Sequence, residues 1–148
     1  MRGRLCRWLK LLGYDTEYYR GGSGRELIYR SLKSRRIIIT RRENIDKNTG
    51  YKLFIVDTEN SREKLKRVVN NFNLSIDKSK IYTRCIECNQ KLESVNKDSI
   101  EGVVPRHIYR VHNNFLRCTE CEKIFWRGTH RNLIEKELKQ LKNENNGN

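Results

Sequence analysis

The stretch RRIIITRREN, residues 35–44, decides how the first half of the chain folds. Three consecutive isoleucines followed by Thr40 are typical of a short buried strand, because β-branched side chains pack well on a pleated surface. The two residues directly after this strand are Arg41 and Arg42. In an open α/β sheet, ligands and catalytic groups gather just beyond the carboxyl ends of the strands. An enzyme that works through divalent metal ions needs carboxylates there, whereas this chain presents two fixed positive charges.

The whole chain is strongly basic. Its 148 residues contain 32 Lys and Arg against 18 Asp and Glu, which gives a net charge of +14 and a pI near 9.8. Hydrophobic residues make up 36%, enough for a modest core and for one domain or one domain with a small appendage. The excess of positive charge predicts a polyanionic partner, and nucleic acid in particular. The alternative is a charge-rich surface that has no such partner.

The positive charge is concentrated near the start of the chain. Residues 1–42 hold 12 Lys and Arg against 3 Asp and Glu, whereas residues 81–148 hold 12 against 9. No apolar run approaches the length of a membrane span, and no signal peptide is recognisable. We therefore expect a cytoplasmic protein whose cysteines stay reduced, so that paired cysteines indicate a metal rather than disulfides.

Hydrophobic periodicity predicts a first helix from about residue 2. Leu5, Trp8, Leu9 and Leu12 follow the i, i+3, i+4, i+7 pattern, and Gly13 is placed to end the helix. Its charged side is expected to carry Arg2, Arg4, Arg7 and Lys10.

Helices and strands then alternate. Ser23 and Glu26 have the spacing of a capping box, which predicts a second helix to about Ser31. The remaining predicted elements are a short strand at 14–19, a strand at 36–40, a strand at 51–56 and a helix at 60–72. This alternation predicts a layered α/β domain with a mainly parallel sheet.

The pattern divides the chain into three parts. Residues 1–80 are predicted to form the α/β domain, residues 81–131 a zinc ribbon, and residues 132–148 a polar helix with a disordered tail. A parallel sheet usually opens on a strand, and here the first predicted element is a helix, so the domain reads as one whose first strand is missing.

Two Cys-x-x-Cys pairs predict a metal site. Cys85 and Cys88 form one pair, Cys118 and Cys121 the other, and 29 residues lie between the pairs. Two such knuckles complete a tetrahedral four-cysteine site of the closed, structural zinc type. The alternatives are redox motifs or free thiols, and Cys6 is interpreted as a buried core thiol.

The insert between the pairs and the segment after them add basic and aromatic residues. Pro105 is suited to a helix start within the insert. Phe125 and Trp126 either stack on bases or cover the second knuckle. The three histidines, one of which can replace a cysteine ligand, are interpreted as surface or RNA-facing side chains: His107, His112 and His130.

The order of these motifs resembles a known family. MRGRLCRWLKLLGYDTEYY, RRIIITRRE, the paired knuckles, VPRHIYRVHNNFLRC and IFWRGTH are similar to the Mut-seven C-terminal RNase domain family, over roughly residues 1–131. The resemblance implies a PIN-like α/β domain followed by a zinc ribbon. It also implies RNA cleavage through metal ions held by acidic residues at the carboxyl ends of the strands.

The chain departs from that family at the acidic positions. The family carries an aspartate on a strand before the first helix motif, and this chain starts at that motif. Gly24 stands about where an acidic residue is usual, and Thr40-Arg41-Arg42 replaces Thr-Arg-Asp. The other acids available as substitutes are Glu26, Glu43, Asp57 and Glu59. A fixed positive charge where a cation should bind leads us to expect that cleavage is lost and no catalytic residue remains.

The sequence therefore predicts an RNA-binding protein derived from a PIN-like nuclease, with structural zinc and a place in a ribonucleoprotein such as the ribosome. Its partners would be RNA, including ribosomal RNA, and ribosomal proteins, with no membrane and no small-molecule substrate. The predicted RNA-contacting residues are Arg2, Arg4, Arg7, Arg35, Arg36, Arg41, Arg42, Arg84, Arg127, His130 and Arg131, and Arg117 is placed on the same zinc platform.

Two other interpretations stay open. The first is an active metal-dependent ribonuclease, whose missing strand would lie upstream of an incorrectly assigned start. The second is a protein-interaction module whose basic charge is incidental.

Overall fold

The computed structural model describes residues 3–46, 50–126, 128, 134–136 and 138–140. The chain forms two compact units. Unit 1 comprises Met1–Cys6 and Glu17–Ser75, and unit 2 comprises Arg7–Thr16 and Ile76–Asn148. The first helix, α1 (Arg4–Leu11), contributes residues to both. The domain bounds proposed from the sequence stay predictions.

Unit 1 is a small α/β layer. Its sheet consists of β1 (Ile38–Thr40) and β2 (Leu53–Ile55), which pair in parallel with Ile38 opposite Leu53 and Thr40 opposite Ile55. The helix α2 (Gly24–Ser34) precedes β1, and α3 (Ser61–Asn71) follows β2. The mixed α/β class with a parallel sheet, predicted from the sequence, is confirmed.

Local caps explain where the unit 1 helices begin. The Ser23 side chain accepts a hydrogen bond from the backbone N–H of Glu26, as the predicted capping box requires. The Asn60 side chain accepts from the backbone N–H groups of Arg62 and Glu63 and so begins α3. The buried apolar side chains of this unit include those of Ile38, Ile45, Val56, Leu65 and Val68.

The strand predicted at residues 14–19 is wrong. Gly13, at φ 88°, ends α1 in the left-handed region, and its N–H and that of Tyr14 donate to the carbonyls of Lys10 and Leu9. The N–H of Thr16 donates to the side chain of Asn89 instead of to a strand. These backbone donors are used by the helix end and by a distant loop, so they do not join a sheet.

Unit 2 contains an antiparallel three-stranded sheet in the order β3 (Leu92–Val95), β4 (Phe115–Cys118) and β5 (Ile124–Trp126). Between β3 and β4 lie a 3₁₀ helix, Lys97–Ile100, and α4 (Arg106–Val111). Pro105 is the residue before the first turn of α4, where the sequence predicts a helix start.

A small apolar core fills the insert of unit 2. Ile100, Val104 and Phe115 are buried together, and Trp126 packs against them. Trp126 is therefore a half-buried covering residue of this core. Base stacking and coverage of the second knuckle, the two interpretations offered for that side chain, stay predictions.

The predicted C-terminal helix is described only in part. Residues 134–136 and 138–140 are helical, and Leu138 is buried. The remainder of the predicted helix and tail lies outside the described residues. Among the described helices none is both long and apolar enough to cross a lipid bilayer.

Candidate metal centre and nucleic-acid interface

Four cysteines meet in unit 2. The sulfur atoms of Cys85, Cys88, Cys118 and Cys121 all lie within 4.8 Å of one another, and Cys85 Sγ is 3.7 Å from Cys121 Sγ. Ligands about 2.3 Å from a tetrahedral ion lie about 3.8 Å from one another, so this separation fits a bound ion. Four soft thiolate donors suit a metal ion such as zinc. Among the described residues this is the one group of His, Cys, Asp or Glu side chains that could hold a metal.

The two knuckles have the same backbone geometry. The N–H of Cys85 donates to the carbonyl of Gln90 at 2.8 Å, and the N–H of Asn89 donates to the carbonyl of Cys85 at 2.9 Å. In the second knuckle, Cys118 and Glu122 make the same two bonds at 3.0 Å each. Each knuckle turns through a left-handed residue directly after its second cysteine, at φ 68° for Asn89 and 58° for Glu122.

Arg84 fastens the first knuckle to the end of α1. Its Nε donates to the carbonyl of Gly13 at 3.1 Å, and its Nη1 donates to the carbonyl of Asn89 at 2.9 Å. The planar guanidinium can make both bonds at once because its donors point in fixed directions. Arg84 is therefore a half-buried structural residue, and the RNA contact predicted for it stays a prediction that this geometry does not favour.

Lys10 was expected on the charged, exposed side of α1, and that expectation is wrong. Its side chain is only 6% exposed, and Nζ donates to the carbonyls of Glu87 at 3.1 Å and Ile86 at 3.4 Å. A buried ammonium needs such acceptors because it has lost its water. These carbonyls lie between the two cysteines of the first knuckle, so a positive charge stands beside the metal centre.

Asn89 completes the contact between the knuckle and residues 10–16. Its side-chain Nδ2 donates to the carboxylate of Asp15 at 2.6 Å, and its Oδ1 accepts from the N–H of Thr16 at 3.1 Å. The sequence patterns do not predict this support from the N-terminal segment. These hydrogen bonds join residues more than 70 positions apart in the sequence, and no local pattern predicts them.

The thiols of the metal-free centre differ in acidity. Burial, together with the neighbouring thiols, raises the pKa of Cys85 to about 11 and that of Cys88 to about 12. The pKa of Cys121 falls to about 7, chiefly because the backbone N–H of Lys123 hydrogen-bonds its sulfur. At neutral pH the metal-free centre thus holds one readily ionised thiol beside two that keep their protons.

In unit 1, the residues after β1 and β2 lie at the same edge of the sheet, because the two strands are parallel. Arg41 follows β1 and forms an ion pair with Glu59, which follows β2. The Arg42 Nη1 donates to the carbonyl of Gly22 at 3.1 Å, and its backbone N–H donates to the Thr40 hydroxyl at 3.0 Å. An arginine–glutamate pair therefore stands at the edge of the sheet where the resemblance predicts carboxylates.

Other acids of unit 1 are also engaged by arginines. Glu26 pairs with Arg30 at 3.0 Å and accepts a hydrogen bond from the Tyr19 hydroxyl at 3.1 Å. Glu17 pairs with Arg30 at 3.1 Å and with Arg36 at 3.3 Å. Glu43 and Asp57 are exposed.

The predicted RNA-contacting residues differ in their exposure. Arg4, Arg7, Arg35, Arg41 and Arg42 are exposed, whereas Arg36 is half-buried. Four of these predicted residues lie outside the described part of the chain: Arg2, Arg127, His130 and Arg131.

A comparison with protein-family models matches the Mut7-C RNAse domain over residues 1–138. This chain belongs to that family. A search of the curated proteins and a search of the solved structures each found no match. The family places the chain among nuclease-like proteins with an RNA-related role.

We expect that Cys118→Ser will abolish stoichiometric metal binding, because it removes one of four ligands from a closed site. Metal content measured by mass spectrometry of the purified protein tests this. Cys6→Ala is the matched control, since Cys6 lies outside the cluster, and it should retain one metal ion per chain. Equal metal content in the two variants would contradict the assignment.

Metal affinity should rise with pH. Cys85 and Cys88 hold their protons well above neutrality, so binding must displace at least two protons per ion. Each displaced proton changes the binding constant about tenfold per pH unit, so affinity should fall by about 100-fold or more per unit of acidification. Competition with a chelator between pH 6 and 8, corrected for the chelator's own protons, measures this. An affinity independent of pH would contradict it.

Arg84→Ala should destabilise the metal-loaded protein by about 1.5–3 kcal/mol, because two carbonyls lose a charged hydrogen-bond donor. Arg117→Ala is the matched control: Arg117 precedes Cys118 as Arg84 precedes Cys85, but its partner is the exposed Glu122. An exposed ion pair contributes at most about 1 kcal/mol. Urea unfolding measures both variants, and equal losses would refute the structural role of Arg84.

Proposed function

We propose that this chain is an RNA-binding protein derived from a PIN-like nuclease, catalytically inactive, and a bound component of a cytoplasmic ribonucleoprotein such as the ribosome. The observation that carries this proposal is the edge of the parallel sheet in unit 1. There Arg41 is paired with Glu59, and Arg42 takes the position of the acid expected from the family.

The physical argument against catalysis concerns charge. Magnesium and manganese ions require several oxygen ligands, and in nucleases they generate or orient the nucleophile. A permanent guanidinium charge at that place repels the ion and also occupies the carboxylate that would bind it. The described residues contain no group of three carboxylates that could replace the lost ligands.

The same residues favour binding to RNA. Arginine presents a planar fork of donors that matches phosphate oxygens, and its charge does not depend on pH. Arg41 and Arg42 are exposed, as are Arg4, Arg7 and Arg35. The net charge of +14 creates a positive potential that attracts a polyanion such as RNA.

A zinc ion in the four-cysteine centre fits this proposal. Residues 85–121 enclose only a small apolar core, and zinc would supply the free energy that holds the two knuckles together. The ion would have a structural role, since four protein ligands leave no position for a substrate.

The alternative is a metal-dependent ribonuclease of the same family, which the RNase name of the matching family supports. Asp57 and Glu59 lie after β2, and in that alternative they would be the acids that hold a metal ion.

We expect metal-loaded protein to retain labelled structured RNA without cleaving it, with or without manganese. Each phosphate contact on a duplex should contribute about −0.9 to the slope of log affinity against log salt. Arg42→Ala should make that slope shallower by about that amount if Arg42 contacts one phosphate. Filter retention and gel electrophoresis of the same samples report binding and cleavage together.

Arg67→Ala is the matched control, because Arg67 is an exposed arginine of the same unit that pairs with Glu63 on α3. It should leave the salt slope close to that of the unaltered protein. Manganese-dependent cleavage that Glu59→Gln abolishes would establish the enzyme instead. Absence of both RNA retention and cleavage would refute both functions.

A further inference from the structure

One exposed surface of unit 1 consists of side chains that have no role in the metal centre or at the sheet edge. It is formed by Arg25, Tyr29, Leu32 and Lys33 on α2, and is called the α2 platform here. The Tyr29 side chain is 63% exposed and that of Leu32 is 50% exposed. A ligand that covered Tyr29 and Leu32 would gain the hydrophobic stabilisation that these side chains lack in the free protein.

Helix geometry places the four side chains together. Arg25 and Lys33 lie four residues before and four residues after Tyr29, which puts all three on one side of α2. Four residues advance a helix by about 6 Å, so each cation stands about one turn from the ring. Leu32 lies three residues after Tyr29 and extends the apolar surface of the ring.

The ring of Tyr29 is open, unlike those of its neighbours. Arg20 lies over Tyr18 at 5.9 Å, and Arg30 lies over Tyr19 at 5.5 Å. In the part of the chain that the structure describes, no ring or guanidinium covers Tyr29. Its face is therefore available to a planar ligand.

The surroundings of the platform are positive. Glu26 lies on the neighbouring turn, but its carboxylate is neutralised by Arg30 at 3.0 Å. Arg35, directly after α2, is exposed and adds a further positive charge. Once Glu26 is neutralised, a ligand on the platform meets positive charges on both sides of the Tyr29 ring.

We propose that the α2 platform binds an unpaired nucleotide of single-stranded RNA, with the base stacked on Tyr29 and the adjoining phosphates contacted by Arg25 and Lys33. Aromatic stacking with flanking cations is how sequence-tolerant single-strand sites work, since every base has a π-face and every nucleotide a phosphate. A protein partner fits less well, because lysine is depleted at the centres of protein interfaces. The inference rests on the proposed RNA-binding function and adds a site that the sequence analysis did not select.

The test compares Tyr29→Ala with Tyr29→Phe on a labelled oligouridine and on a blunt duplex RNA. Loss of one stacked base is worth about 1–3 kcal/mol, so Tyr29→Ala should bind oligouridine about 5- to 150-fold more weakly. Tyr29→Phe keeps the ring and should bind as the unaltered protein does. Neither change should alter duplex affinity, because paired bases cannot stack on the ring. Thermal unfolding of both variants serves as the folding control. Because Tyr29 is exposed, both variants should unfold at the temperature of the unaltered protein.

The cations are tested by charge-matched variants. Lys33→Ala should make the salt slope on oligouridine shallower by about 0.7, whereas Lys52→Ala, which removes an exposed lysine elsewhere in unit 1, should leave it unchanged. Ultraviolet cross-linking followed by peptide mapping should place the nucleotide on the tryptic peptide 26–30.

The outcomes separate this inference from the proposed function. If the unaltered protein binds oligouridine and Tyr29→Ala binds it equally well, the platform is refuted while RNA binding stands. If Tyr29→Phe is as weak as Tyr29→Ala, the hydroxyl group rather than stacking is responsible, and the inference is again wrong. If the unaltered protein binds neither RNA, the proposed function fails and the platform with it.

Discussion

Four cysteine sulfur atoms within 4.8 Å of one another cannot all be ionised unless a cation lies between them, and unit 2 is organised around that constraint. The two knuckles approach with the same turn and the same backbone hydrogen bonds, so each directs two sulfur atoms at one point. Burial keeps Cys85 and Cys88 protonated without a metal. A metal that displaces those protons would join the two knuckles at one point.

The first knuckle is supported from the far end of the sequence. Lys10 and Arg84 contribute positive charge and hydrogen-bond donors to the backbone around Cys85 and Cys88, and Asn89 binds the segment after α1. A thiolate-rich centre carries negative charge, and a buried ammonium near its backbone offsets part of that charge. The N-terminal segment therefore belongs to the structure of the metal centre, although the sequence alone suggests a separate ribbon.

In unit 1 the parallel sheet brings the ends of β1 and β2 to one edge, where Arg41 and Glu59 form an ion pair. In the function proposed above, this pair occupies a carboxylate that would otherwise be free to hold a divalent ion. Glu17 and Glu26 are also paired to arginines, whereas Glu43 and Asp57 are exposed. The exposed arginines and the α2 platform then leave positive and aromatic surface for RNA, which is the basis of both proposals.

Local sequence patterns determined the cysteine cluster and several helix ends. The spacing of Cys85, Cys88, Cys118 and Cys121 predicted the cluster, because each two-residue gap allows a knuckle that directs two sulfur atoms at one ion. Gly13 and Ser23 marked helix ends through backbone geometry that is set locally. The family followed from the order of such motifs. Only the tertiary structure decided that residues 14–19 form no strand and that Lys10 is buried. It also decided that Arg84 binds the first knuckle and that Tyr29 is exposed. Each of these outcomes depends on which distant residue supplies a hydrogen-bond partner or covers a side chain, and local sequence patterns do not predict such long-range contacts.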